Sequence, residues 1–362
     1  MARVLVSPLN WGLGHATRDM PVIRKLLELG HEVTIAACGN ARAALSQEFP
    51  DGASIEFPDY PSPYSSSRFF LPKFVLSLPL MLKAVAEERR TIAKIVERDT
   101  YDLIISDNRL GVYSRKVPSL FITHQLHYHL PMAAWPFEIA AVRLNGYLHS
   151  RYDRVIVPDN PPGERSLAGK LSRADTGTTR SLAYYAGILT SIKQLACSED
   201  LDHLFMISGP EPQRTQLENI LLPMVAELEG TSVVLLGSPN GSKNHSGSKR
   251  YFVKSYATTE EKINLMNRAK FIVCRSGYTS MMEIAELRKR RALFIPTPGQ
   301  TEQEYLSWYY QSRGWFLSSG QYDIDLARDI PRTTSFTGFP PMTGTEDNVR
   351  RLYDDVLAEY LE

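Results

Sequence analysis

Two apolar patterns alternate along this chain. Short uninterrupted apolar runs, such as Arg3 to Ser7 and Tyr101 to Ser106, are followed by stretches in which apolar residues recur every three or four positions. After the first run, Met20, Ile23, Leu26 and Leu27 mark a helix from Ala16 to Leu29, and Gly30 terminates it. The other runs of the first half are His31 to Ala37, Ser54 to Phe57, Pro118 to Thr123 and Tyr152 to Val157. Strands buried on both faces read as continuous rather than alternating apolar runs, so the pattern predicts parallel sheets with helical crossovers. Tyr184 to Ile188, Asp202 to Ser208, Ser232 to Gly237, Tyr251 to Val253, Phe271 to Cys274 and Ala292 to Pro296 repeat it in the second half.

The fold class is therefore α/β, with two Rossmann-like domains facing a cleft. A chain of 362 residues exceeds the span usual for one domain. The proline-rich Pro158 to Gly163 is the clearest linker, which sets expected domains at 1–160 and 161–345, with an amphipathic helix at 346–362. Phe69 to Val85 carries only Lys73 and Lys83 as charges and is either a buried helix or an apolar surface for peripheral membrane contact. Glu87, Glu88, Arg89, Arg90 and Lys94 read as the solvated face that follows, and Gly241 to Lys249 as a polar loop.

Charge and cysteines narrow the class. A net charge of +1 gives no bulk attraction to nucleic acid. Cys38, Cys197 and Cys274 are odd in number and far apart, the usage of a reducing, cytoplasmic compartment. The first residues lack the pattern of a signal peptide, and no apolar stretch reaches spanning length.

Candidate chemistry gathers at the carboxyl ends of predicted strands, where helix N-termini offer unpaired amides to an anion. The densest stretch is Phe271 to Gln303. There Arg275, Ser276 and Gly277 turn into a helix bearing Glu283, whose carboxylate can accept two ribose hydroxyls; a surface glutamate is the plain alternative. Gln300 and Gln303 open the next helix as sugar contacts or as capping residues. Ser208, Gly209 and Arg214 form a second phosphate cradle, or a turn followed by a solvated arginine. In the first half, Gly12 and Gly14 let a substrate approach the backbone before His15, a candidate general base or a plain helix-start residue. Asn10, Gly14, Arg18, Asp107 and His124 are candidate acceptor contacts. His124, His127 and His129 invite a metal, but no cysteine or carboxylate completes a zinc spacing, so none is assigned.

These residues carry a resemblance. VCRSGYTSMMEIAELRKRRALFIPTPGQTEQEYL is similar to the donor-binding segment of family 28, or MurG-like, glycosyltransferases of GT-B fold, and WGLGHATR resembles their N-terminal glycine loop. The resemblance implies an inverting transferase, needing no metal or other cofactor, that moves a sugar from a nucleoside-diphosphate donor, UDP first, to a lipid or glycan hydroxyl. It implies His15 near the acceptor, Ser208, Ser276 and Gly277 on the diphosphate, Glu283 on the ribose and Gln303 on the sugar. The N-terminal domain would hold the acceptor, the second domain the donor, and the last helix would pack back on the first. It places the enzyme in the cytoplasm or on the inner membrane face, in cell-envelope synthesis. Thr301 and Glu304 depart from the family's aspartate and second glutamine, which separates this sugar site from MurG's. GLGHATR is also similar to the motif of a UDP-sugar hydrolase of the pseudaminic acid pathway, and a non-catalytic nucleotide-sugar-binding GT-B protein is the third reading.

Overall fold

The computed structural model describes residues 1–60, 70–127, 135–238, 245–246 and 250–362, without the side chains of 70–79, 135–137, 139–140 and 245–246. They form two compact units, the first taking in the described residues up to Ser191 together with Met342–Glu362, the second Ile192–Pro341.

The first unit is built on strands β1 (Arg3–Pro8), β2 (Glu32–Ala37), β3 (Ala53–Glu56), β4 (Leu103–Asp107), β5 (Ser119–Ile122), β6 (Arg154–Val157) and β7 (Ala183–Tyr185). They pair in the order β3-β2-β1-β4-β5-β6-β7, and every pairing is parallel. Val4, Leu5 and Val6 are buried, as are Leu103, Ile104 and Ile105, because helices cover both faces. Strand order reverses between β1 and β4, where Pro8 stands opposite Asp107. That register brings the loop after β1 and the residues after β4 to one point.

Two corrections follow from the sheet. Pro158 to Gly163 is not the domain boundary, because β7 adds to this sheet beside β6. Tyr184 to Ile188 therefore closes the first unit instead of opening the second, and the division falls at Ser191. Glu88 does not lie on a solvated face either: it is 1% exposed and accepts from Arg109 Nε at 2.7 Å. Arg109 Nη1 also donates to the Pro8 carbonyl at 3.2 Å, which ties helix Phe70–Arg98 to the carboxyl ends of β1 and β4.

At the far end of the chain, helix Thr345–Leu352, a π-helical turn Tyr353–Leu357 and helix Ala358–Leu361 return to the first unit. Val349, Leu352, Val356 and Leu357 share a core with Met20, Ile23 and Leu26 of helix Gly14–Glu28. Gly187 makes room for this: its φ is +77°, and a Cβ there would lie 2.5 Å from Asn348 Nδ2.

The second unit repeats the plan with β8 (Leu201–Met206), β9 (Ser232–Leu235), β10 (His245–Ser246), β11 (Tyr251–Lys254), β12 (Ala269–Cys274), β13 (Ala292–Phe294) and β14 (Leu317–Ser318). Their order is β10-β11-β9-β8-β12-β13-β14, with β10 antiparallel to β11. Met206 pairs with Cys274 and Cys274 with Phe294, so the segments after β8, β12 and β13 emerge together at the reversal of strand order. Of the expected polar loop Gly241 to Lys249, most lies outside the described residues, as does the membrane-contact segment from Phe69 to Pro79 at the level of side chains. Beyond it, Leu80 and Leu82 are exposed and Ala84 is buried. No helix among the described residues is long and apolar enough to cross a membrane.

Candidate functional site

Helix Gly14–Glu28 starts directly after the glycine turn, where Gly12 has a φ of +98° that a side chain would resist. Its first turn and β4 supply a compact charged cluster. His15 Nδ1 lies 3.0 Å from Asp107 Oδ1, and Arg18 Nε donates to Asp107 Oδ2 at 2.6 Å while its Nη2 also reaches Oδ1. Arg18 Nη1 meets His124 Nδ1 at 3.3 Å. Arg18, Asp107 and His124 are buried and His15 is half-buried, so four candidate acceptor-side residues from three elements converge. Asn10 is placed otherwise: its Oδ1 accepts from the Ala41 amide at 2.9 Å and supports the start of helix Gly39–Glu48.

A carboxylate only accepts, so the His15 to Asp107 contact is a hydrogen bond when Nδ1 carries the proton, whereas Arg18 Nη2, which only donates and lies 2.8 Å from the same Nδ1, bonds to the opposite tautomer. The Asp107-bonded tautomer leaves Nε2 with a lone pair. Burial lowers the His15 pKa below its usual value, Asp107 opposes this, and Arg18 adds to the lowering. Burial pushes the Asp107 carboxyl up, but Arg18 and then His15 outweigh it and hold it below the usual carboxylate range. The cluster at neutral pH is thus a neutral imidazole on an ionised carboxylate clamped by a guanidinium.

Asp19 was not anticipated. It is fully buried behind this cluster, and neither of its carboxyl oxygens has a partner among the described residues. Burial, followed by the charge of Asp107, raises its pKa well above the usual value. An acid on the apolar side of an otherwise amphipathic helix was the available signal.

In the second unit, the ends of β8, β12 and β13 bring Ser208, Gly209, Arg275, Ser276 and Gly277 together. Gly209 has a φ of +118° and is exposed, and an atom added to its Cα would meet Thr297 Oγ1 at 3.6 Å and Arg275 Nε at 3.9 Å. Helix Tyr278–Glu286 begins at Gly277 with no side-chain cap. Gln303 lies across from it: its Oε1 accepts from the Thr297 amide at 2.9 Å, its Nε2 donates to Gln300 and lies 3.9 Å from where a Gly277 Cβ would stand. Ser276 Oγ donates to the Gln303 carbonyl at 2.9 Å. Thr297, in the segment that follows β13, has a buried hydroxyl with no partner among the described residues.

The two expected cations serve the protein. Arg275 is 1% exposed, and its donors go to the carbonyls of Ser208, Ile295, Pro296 and Gln213 and to Gln321 Oε1. A planar fork with five N–H groups can clamp several strand ends at once, and here it does so instead of facing an anion. Burial lowers its pKa to about 10. Arg214 is likewise taken by Glu211, just before its helix, at 2.6 Å and by Glu218, one turn further on, at 2.9 Å. Glu283, 1% exposed, bonds Lys262 Nζ at 2.6 Å through Oε1. The sequence offered no sign of that partner, 21 residues away.

Both units carry the β/α order of a Rossmann-like domain, and together they are the GT-B fold. No family model matches the chain. Over 169 residues it is 27% identical to an uncharacterized glycosyltransferase of Methanosarcina acetivorans, a match covering 44% of this chain and 42% of that protein. A counterpart from Methanosarcina mazei is 26% identical over 170 residues, again 44% of each. The match thus spans less than half the length of these relatives. Among solved structures, the chain resembles the glycotransferase of kitacinnamycin with a TM-score of 0.65 at 12% identity, covering 100% of this chain and 99% of that one. The spinosyn rhamnosyltransferase SpnG complexed with thymidine diphosphate gives 0.59 at 13% identity, over 98% and 96% of the two chains. MurG of Acinetobacter baumannii gives 0.54 at 10% identity, over 99% and 100%.

Proposed function

We propose that this protein is a MurG-like, family 28 glycosyltransferase that moves a sugar from a nucleoside-diphosphate donor, UDP-linked, to a hydroxyl of a lipid or glycan, with inversion. The observation that carries this reading is the pairing of His15 Nδ1 with Asp107 at the carboxyl ends of β1 and β4. His15 Nε2 takes the acceptor's hydroxyl proton while the oxygen bonds to the anomeric carbon. The bond from that carbon to the diphosphate oxygen breaks, and its electron pair leaves with the diphosphate. Asp107 keeps the imidazole in the reactive tautomer and stabilises the imidazolium as it forms. On the donor side, the Gly209 turn and the uncapped helix at Gly277 offer amides to the leaving diphosphate. Gln300 and Gln303 face the sugar, and Glu283 takes the ribose.

The exposed Leu80 and Leu82 favour a lipid acceptor reached at the cytoplasmic membrane face. The test is a panel of UDP-sugars incubated with lipid and glycan acceptors, following UDP and the glycoside. Acceptor-dependent UDP release, lost in His15→Ala, is expected. Equal release with and without acceptor makes water the acceptor and turns the reading to a hydrolase; no release with any donor, at retained nucleotide binding, leaves a non-catalytic binding protein.

A further inference from the structure

Residues two apart in a strand share a face, so Arg109 would lie on the side of Asp107 if β4 ran on. It does not. Asn108 takes a left-handed φ of +58°, which asparagine tolerates better than most residues, and the alternation breaks there. Asp107 keeps to the face of Leu103 and Ile105, which packs on helix Gly14–Glu28, and meets His15 and Arg18. Arg109 instead joins the face of Leu5 and Ile104, which packs on Ile92 and Ile95 of helix Phe70–Arg98. Fully buried, its fork donates to Glu88 Oε1 at 2.7 Å, to the Pro8 carbonyl at 3.2 Å and to the Pro58 carbonyl, with the guanidinium carbon 4.7 Å from the centre of the Phe57 ring. Glu88 also accepts from the Tyr60 hydroxyl, and the Tyr60 ring meets Trp11 of the glycine turn edge-on. On the other side of the Pro8–Leu9 peptide, the Leu9 amide donates to the Asp107 carbonyl at 3.0 Å. Both polar groups of the peptide at the exit of β1 are therefore tied to residues 107–109.

We propose that Arg109 positions the His15 and Asp107 pair: standing two residues after Asp107 and clamping the Pro8 carbonyl, it fixes the turn that bears the carboxylate against the segment that leads to the imidazole. The effect on catalysis rests on the base assignment above; the positioning does not depend on it. Glu88 neutralises the guanidinium, so the clamp leaves no buried charge unpaired. Without the fork the Pro8–Leu9 peptide keeps one of its two ties, and the path from Pro8 to His15 contains Gly12 and Gly14, which resist displacement least. A reacting group displaced by about 1 Å can lose about a hundredfold in rate.

Histidine NMR titration of the full chain reads the pair directly, with the His15 signal assigned by its loss in His15→Gln. Asp107 raises the His15 pKa, while Arg18 and His124, the other charged or titratable groups facing it, lower it. Arg109→Lys keeps a charge for Glu88, but one ammonium does not hold both carbonyls as the fork does. The slackened Asp107 contact is expected to lower the His15 pKa, in the direction of Asp107→Asn and by less. With it kcat should fall about tenfold and the acid limb of the rate profile move to lower pH, at a donor KM within about twofold of the parent. Ile92→Ala loosens the packing of the same helix without touching Arg109, and is expected to lower the melting temperature and leave the His15 pKa in place. Where Arg109→Lys does not fold, Arg109→Met combined with Glu88→Gln removes the clamp without stranding a charge and should give the same fall. An unchanged His15 pKa in either folded variant overturns the proposal, as does an equal fall in Ile92→Ala. A lowered His15 pKa with unchanged kcat upholds the positioning and overturns the base assignment instead.

Discussion

Replacing Asp107 by asparagine separates the chemistry of the charged cluster from its architecture. Asparagine has nearly the same shape, but its amide nitrogen donates, and turned toward His15 it favours the tautomer with the proton on Nε2. The base is then blocked, and a fall in kcat of about a hundredfold to ten-thousandfold is expected, the range for losing an oriented general base. The same change withdraws the counter-charge from Arg18. With Arg18 2% and Asp107 0% exposed, breaking the pair leaves a buried guanidinium with one neutral acceptor, and about 3 kcal/mol of stability should go with it. The pH profile gives a third reading. Neutral His15 is the active form, so activity falls as pH drops through its pKa, which burial sets below the usual 6.5. Asp107 is the group that raises this pKa, and Arg18 lowers it. The residual activity of Asp107→Asn should therefore show its acid limb at lower pH than the parent. The assay is acceptor-dependent UDP release from pH 4 to 9, beside urea melts and UDP titration; UDP affinity should hold, because the donor residues lie in the other unit. A kcat within about threefold of the parent in a folded variant would refute the base assignment.

Three further outcomes are expected. Arg275→Lys replaces a fork bonded to four carbonyls and Gln321 with a single ammonium, and should destabilise the second unit by about 3 kcal/mol in a denaturant melt; a stable variant with weakened nucleotide binding would make Arg275 a phosphate ligand instead. Burial lowers the His149 pKa to about 4 from 6.5, so the unfolded chain binds its proton first and stability is lost as pH falls from 6.5 toward 4. At pH 5 this amounts to about 2 kcal/mol, visible as a difference between melts at pH 7 and 5 that His149→Leu removes. Gly187→Ala should lower the melting temperature by several degrees, since its Cβ would strike Asn348; an unchanged melt would mean that the C-terminal helix adjusts without cost.

The order of apolar runs and amphipathic stretches was enough to determine two α/β sheets that are parallel except at β10, because a strand covered on both faces must be apolar throughout. It also placed His15, Asp107, Ser208 and Gly277 just after strand carboxyl ends and Glu283 in the helix that follows one, since that depends only on where each run stops. Which of them meet depended on strand order and register. Asp107 reaches His15 across 92 residues of sequence because β4 pairs with β1, and no local pattern encodes that pairing. The same holds for the roles of the arginines. A guanidinium after a strand reads as a phosphate ligand until the neighbouring strand ends are in place, and then Arg275 is consumed by their carbonyls. The boundary moved from Pro158–Gly163 to Ser191 because the edge strand β7 pairs with β6 and packs Ala183, Tyr184 and Tyr185 against the first unit, which its three residues do not announce. That the oxygens of Asp19 and Thr297 are buried without a partner among the described residues, and that Lys262 bonds Glu283, became visible only in three dimensions, since both belong to the packed chain.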